Sequence, residues 1–181
     1  MSIYLKRFSF FIGLFFSATV FAKTYYLPKG THGFYWVKFP PTMSNDYNYR
    51  VRFDETAIYT TRDPSNQSDI NKLFGFADCT SFVHTNSARF GWRWYQNQLQ
   101  ILAYTYAKKV RSFEYVQTVQ LNTSYDLKIL TSGDQYIFYV DGVEKIRMKR
   151  GCSSPRALKY KLYPFFGGNE VAPHDISIEL D

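Results

Sequence analysis

Apolar and polar residues alternate in short runs through most of this chain. In residues 48–54, Tyr49, Val51 and Phe53 fall at every second position, with Arg50 and Arg52 between them. In 87–94, Ala88, Phe90, Trp92 and Trp94 alternate with Arg89 and Arg93. A period of two marks an extended strand with one buried face. Strands are predicted over 33–38, 48–54, 56–61, 70–76, 87–94, 98–106, 113–119, 124–131, 134–141, 143–149, 158–165 and 174–180. β-Branched and aromatic residues fill these runs, Gly, Pro, Asn and Asp separate them, and no long amphipathic helix is evident. Asp141-Gly142 joins two of them and supplies the positive φ angles of a tight primed turn. Gln96-Asn97 marks a second hairpin. About a dozen short strands with short links predict an all-β fold, a two-sheet antiparallel β-sandwich.

The same alternation divides each strand into an inner and an outer face. In 98–106, Leu99, Ile101 and Ala103 read as core, leaving Gln98, Gln100, Tyr104 and Tyr106 outside. In 158–165, Leu158, Tyr160 and Leu162 read as core, opposing Lys159, Lys161, Tyr163 and Phe165. The outer faces therefore gather guanidinium groups, amides and rings. Rings stack on the apolar faces of sugars, and arginine forks hold hydroxyls or carboxylates. This pattern makes Arg89, Arg93, Gln100, Tyr104, Tyr106 and Tyr163 candidate ligand-binding residues. Trp92 and Trp94 share a face with Phe90 and are assigned to the core, and Trp36 is expected to cover one end of the sandwich.

The first 22 residues follow a different rule. Lys6 and Arg7 precede an almost unbroken apolar run over 8–16, and Val20-Phe21-Ala22 offers a cleavage site before Lys23. The run is shorter than the roughly 20 residues a spanning helix requires. A signal peptide over 1–22 is expected, with a secreted or periplasmic product and no membrane attachment after cleavage. Residues 23–181 then form a single domain, long enough to bury about two-thirds of its unfolded surface. The formal charge of +7 falls to +5 once Lys6 and Arg7 are removed. That bias favours acidic glycans or anionic surfaces, and export argues against nucleic acid as the partner.

Both cysteines, Cys79 and Cys152, lie in turn-like stretches of the mature part. An oxidising compartment would let them form a disulfide, contributing about 4 kcal/mol by loop closure.

Three histidines are present, and His84 stands in a polar loop leading into the Arg89 strand. A β-eliminating lyase needs a group that neutralises a uronate carboxylate and a base for the C5 proton. His84, Asn86, Arg89 and Tyr104 are the right types for those roles. A structural or solvated loop histidine is the plainer alternative. Glu170, His174 and Asp175 follow Gly167-Gly168 and are weak candidates for a cation site. Their spacing matches no metal signature, so no cofactor is implied, and calcium has no motif behind it. There is no Gly-x-Ser-x-Gly elbow, phosphate-cradling glycine loop, His-Glu-x-x-His or Cys-x-x-Cys.

Ser124-Tyr125-Asp126-Leu127-Lys128-Ile129 followed by Gln135-Tyr136-Ile137-Phe138-Tyr139-Val140-Asp141-Gly142 resembles the paired-strand element of the concanavalin A-like lectin and glucanase superfamily. The resemblance implies a jelly-roll sandwich and carries no activity by itself. Glucanases of that fold carry Glu-x-Asp-x-Glu or Glu-x-Asp-x-x-Glu on one strand, and this chain has no such string. Jelly-roll alginate lyases carry Gln-Ile/Val-His, where this chain has Gln100-Ile101-Leu102. They also carry Tyr-Phe-Lys-Ala-Gly-x-Tyr, where it has Tyr163-Pro164-Phe165-Phe166-Gly167. The stretches 86–94 and 163–170 look like those of exported bacterial proteins without assigned activity.

The reading is a secreted, lectin-like sandwich that recognises a carbohydrate without cleaving it, with an acidic glycan favoured by the charge. The alternatives are a polysaccharide lyase acting on uronate polymers and a protein-interaction module using a sheet edge or basic face.

Overall fold

The computed structural model describes residues 23–33 and 41–181. The expected signal peptide, Trp36 and all but the first residue of the strand expected at 33–38 lie outside them. Twelve strands are formed among the described residues. They are β1 (Lys23–Leu27), β2 (Pro41–Thr42), β3 (Asp46–Phe53), β4 (Asn71–Ala77), β5 (Ser87–Tyr95) and β6 (Gln98–Ala107). β7 (Val110–Val119), β8 (Ser124–Ser132), β9 (Gln135–Val140), β10 (Val143–Lys149), β11 (Lys159–Leu162) and β12 (Ile176–Leu180) follow. The first sheet runs β1-β12-β3-β8-β9-β10 and the second β2-β11-β4-β5-β6-β7. Every neighbouring pair is antiparallel. This is the two-sheet sandwich that the alternation predicts.

Apolar side chains from both sheets meet in one core. Tyr49, Val51 and Phe53 of β3 face Phe90 and Trp92 of β5, and Leu99, Ile101 and Ala103 of β6 extend the layer. The Phe90 ring meets Phe138 edge-on at 5.1 Å, and Phe53 lies 5.1 Å from Trp92. Such contacts add to the roughly 1.5–3 kcal/mol that burying each large apolar side chain contributes. The Asp141-Gly142 and Gln96-Asn97 turns form as expected, with positive φ at all four residues.

Two expectations need correcting. Residues 56–61 do alternate, with Ala57, Tyr59 and Thr61 buried, yet they form no strand. A 3₁₀ turn occupies Glu55–Ala57, where the Asp54 carboxylate accepts from Thr56 N–H. Beyond it the Gln67 side chain takes the place of a neighbouring strand. It accepts from Thr61 N–H at 2.9 Å and donates to the Tyr59 carbonyl at 3.1 Å. The faces of β11 are also inverted. Lys159 is fully buried, its Nζ donating to Asn45 Oδ1 at 3.1 Å and standing 5.9 Å from the Phe76 ring. Lys161 stands 5.9 Å from Tyr47, while Tyr160 and Leu162 line a hollow on the outer side. Long lysine stems pack on aromatic rings while the amine reaches a polar edge, so charge alone misassigned this face.

Cys79 and Cys152 form the expected disulfide, with a Cα–Cα distance of 5.9 Å. Next to it, Asp78 is wholly buried and accepts from Arg150 Nε at 2.6 Å, Tyr136 Oη at 3.1 Å and Cys79 N–H at 2.7 Å. A covalent link and a satisfied buried ion pair thus hold the start of the 79–86 loop.

Candidate functional site

The 79–86 loop, β4, β5, β6 and the segment after β11 enclose a cleft of about 470 Å³ on the outer face of the second sheet. Its floor is built by cross-strand register. Arg89 on β5 stands directly opposite Tyr104 on β6, and Ser87 stands opposite Tyr106. Directly paired residues project to the same side, so these four side chains share one surface. Phe113 and Arg111 of β7 stand opposite Tyr104 and Tyr106 and continue the surface toward the sheet edge.

Arg89 is only 8% exposed. Its Nε and Nη2 donate to the Leu73 carbonyl at 3.1 and 3.0 Å, and Nη2 also donates to the Tyr163 carbonyl. No carboxylate pairs with it among the described residues. Burial lowers its pKa to about 10, against the opposing pull of Tyr49, Tyr104 and Tyr47, so it remains charged at neutral pH. Gly75 creates the space for this guanidinium stem. A Cβ there would come within 2.7 Å of the Arg89 Cα and Cγ.

Lys72 supplies a second cation. Its Nζ donates to the Gly167 carbonyl at 2.9 Å and lies 5.2 Å from the Tyr104 ring centre and 5.8 Å from that of Phe165. Burial, followed by the neighbouring Arg89 charge, lowers its pKa to about 8. Tyr104 shifts the other way, up to about 12, through burial and the adjacent Tyr106. Ser87 Oγ is buried in the cleft without a hydrogen-bond partner. An unpaired buried hydroxyl is costly and needs an incoming polar group or water. No Asp or Glu lines the cleft. It is a cationic, ring-walled hollow.

Of the residues expected at the site, His84, Arg89, Tyr104, Tyr106 and Tyr163 do line this cleft. His84 stands at its exposed rim, 5.3 Å from the Tyr106 ring. Tyr163 contributes mainly its carbonyl, because its ring packs inward against Phe74 at 5.5 Å.

Three others lie elsewhere. Asn86 is buried away from the cleft, where it accepts from Lys108 N–H at 2.9 Å and donates to Ser81 Oγ at 3.0 Å. These bonds hold the loop to the turn after β6. Arg93 and Gln100 share the outer face but pair with each other at 2.8 Å, and Arg93 also donates to the Ser68 carbonyl. Ile70, packed over Gly91, and the small Ile70–Leu102–Tyr104 cluster separate them from Arg89.

Glu170, His174 and Asp175 do not converge. Glu170 accepts from Asn66 Nδ2, Asp63 N–H and Arg62 N–H, which hold its pKa below the usual carboxylate value. His174 Nε2 meets the Thr56 carbonyl at 2.9 Å, and Asp175 accepts from Lys29 N–H. These are loop-fastening bonds. The residues that sequence reasoning missed are Lys72, Ser87 and the backbone of Gly167. Only the even spacing of Ser87 with Arg89 offered a signal.

The sequence matches no family model and no curated protein. Solved structures do resemble it. The alginate lyase AlyC3 superposes with a TM-score of 0.57 at 11% identity, covering 88% of this chain and 72% of that one. The fold is the concanavalin A-like jelly roll. A laminarinase from Flavobacterium sp. UMI-01 gives a TM-score of 0.52 at 9% identity, covering 78% of this jelly roll and 66% of that chain. The family GH16 endo-β-1,3(4)-glucanase SCLam gives 0.50 at 9% identity, covering 78% and 57%. At these identities the likeness concerns architecture, and chemistry must be argued from the cleft.

Proposed function

We propose that this jelly roll binds an anionic carbohydrate in the Lys72–Arg89 cleft without cleaving it. The observation that carries the proposal is Arg89, a buried guanidinium that spends its fork on two carbonyls and has no acidic partner. A buried cation held by dipoles alone is stabilised when an anion enters. Lys72 stands ready to share the charge. Tyr106, half-buried beside His84, supplies a ring face for stacking. AlyC3, whose architecture this chain shares, has been solved in complex with dimannuronate, an acidic disaccharide. The test is calorimetric titration with oligouronates and with the same oligosaccharides after reduction of their carboxylates to alcohols. Binding of the acidic forms alone is expected, and equal binding of both overturns the proposal.

A second reading, β-elimination on a uronate, draws on one observation. His84 and Tyr104 line the same cleft as Arg89, so a base, a proton donor and a carboxylate neutraliser share one hollow. Elimination creates an unsaturated uronate that absorbs in the ultraviolet. Such a signal on incubation with polyuronate, abolished by His84→Ala, would establish this reading over simple binding.

A further inference from the structure

A second hollow adjoins the cationic cleft. It measures about 370 Å³ and shares Val83 and Leu162 with its neighbour, so the two lie side by side across those residues on one face. Its character is opposite. Phe82, Val83, Tyr160, Leu162 and Ala77 provide most of its walls, Thr80 and Ser81 are its two polar residues, and no charged side chain lines it. Ser81 contributes little polarity, since its hydroxyl already donates to the Asp78 carbonyl at 2.7 Å and accepts from Asn86. Phe82 stands 87% exposed at the rim. It is not a loosely tethered side chain. The loop carrying it begins at the Cys79–Cys152 disulfide, and the Phe82 carbonyl accepts from both Thr85 and Asn86 N–H. An exposed ring on a fastened loop, beside an apolar hollow, is a surface built to cover something.

The pairing of the two hollows on one face restricts what that can be. One end offers two cations with no acid in its lining, and the other is mostly rings and aliphatic groups with no charge. A polymer carrying a carboxylate on every sugar would place one of them in the uncharged hollow. There it would lose water and meet no cation, which is unfavourable. A sugar with an uncharged, partly apolar outline would instead lay its face on Phe82 and Tyr160. We infer that the paired hollows select a glycan in which an acidic sugar is followed by an uncharged one with an apolar substituent, such as a 6-deoxyhexose or an N-acetylhexosamine. The inference rests on the anionic-carbohydrate reading of the Lys72–Arg89 cleft and narrows it from acidic glycans in general to mixed acidic–neutral ones.

The test compares oligosaccharides of equal length by calorimetry. One pair of probes alternates galacturonate with 6-deoxyhexose and glucuronate with N-acetylhexosamine. The other pair consists of oligomannuronate and oligogalacturonate. At least one alternating probe should bind about tenfold tighter than both uniform ones, a margin ordinary for one well-filled apolar subsite. Phe82→Ala, at an exposed position that the core does not need, should remove that margin while leaving oligouronate binding unchanged. Phe82→Lys should reverse the preference by giving the second carboxylate a partner. Equal or tighter binding of the uniform oligouronates by the unaltered protein overturns the inference, as does a margin that survives Phe82→Ala. Either result leaves the anionic-carbohydrate reading standing. Failure of every acidic probe to bind overturns both.

Discussion

Gly75 and Arg89 occupy adjacent strands in direct register, and the arginine stem crosses the place where any larger residue would put its Cβ. That atom would come 2.1 Å from the Ala88 carbonyl oxygen and 2.7 Å from the Arg89 Cα and Cγ. The β4–β5 pairing and the seating of the guanidinium therefore both depend on a missing side chain. Gly75→Ala should destabilise the protein by about 1–3 kcal/mol, the range for overpacking a tight site. It should also weaken anion binding. Denaturant unfolding and ligand titration of the same variant check the two effects.

Arg89→Lys keeps the charge but loses the planar fork that spans the Leu73 and Tyr163 carbonyls. Affinity for an acidic oligosaccharide should fall at least about tenfold, as when one charge-assisted bond is lost. Arg93→Lys should change it little, because Arg93 is engaged with Gln100 and Ser68 outside the cleft. Comparable losses in both variants would place the binding surface elsewhere on the sheet.

Lys72 gives the proposed anion binding a pH dependence of predictable sign. Its pKa lies near 8, lowered by burial and by Arg89 and Arg111 and supported by Asp69. Below that pH the amine is charged and available to an anion. Affinity should therefore hold through neutrality and decline as pH rises past about 8, and Lys72→Met should flatten that decline. The unliganded protein should show the opposite trend. The unfolded chain keeps this proton to a higher pH than the folded one, so this group makes stability rise with pH between about 8 and the ordinary lysine value near 10.4.

Cys79→Ser together with Cys152→Ser removes the only covalent crosslink among the described residues. Loop-closure entropy puts the loss at about 4 kcal/mol. Thermal unfolding with and without reductant should show it. Binding should weaken in parallel, because the 79–86 loop carries Val83 and His84 to the cleft.

Asp78→Ala should cost about 3–5 kcal/mol, since it strands a buried arginine. Arg150 would keep only the Gly133 and Ser154 carbonyls as acceptors, and Tyr136 would lose its own. Chemical denaturation measures this directly. A loss below about 1 kcal/mol would mean that solvent reaches Arg150.

Much of this architecture was legible from the chain because alternation reports burial. The faces of β3, β5 and β6 follow the sequence residue by residue, from Tyr49, Val51 and Phe53 to Leu99, Ile101 and Ala103. Alternation does not report hydrogen-bond partners, so 56–61 reads as a strand although Gln67 satisfies part of its backbone. Charge misleads wherever a long stem can pack, as at Lys159. The site was half visible. Arg89, Tyr104 and Tyr106 follow from strand period, and His84 from its loop. Lys72 did not, because it enters the cleft only through the irregularity between Lys72 and Gly75 and the bridge to Phe165. Asn86, Glu170 and Asp175 match the chemistry by residue type alone, and the structure engages each in bonds that tie one loop to another segment.

The position of β12 has a consequence for how the protein assembles. Ile176–Leu180 lies between β1 and β3 and hydrogen-bonds to both, so residues 23–27 have no sheet to join until residues 176–180 have docked. Such distant pairing is slow to form. The first sheet is therefore expected to close late, with one edge of β3 bare until β12 docks.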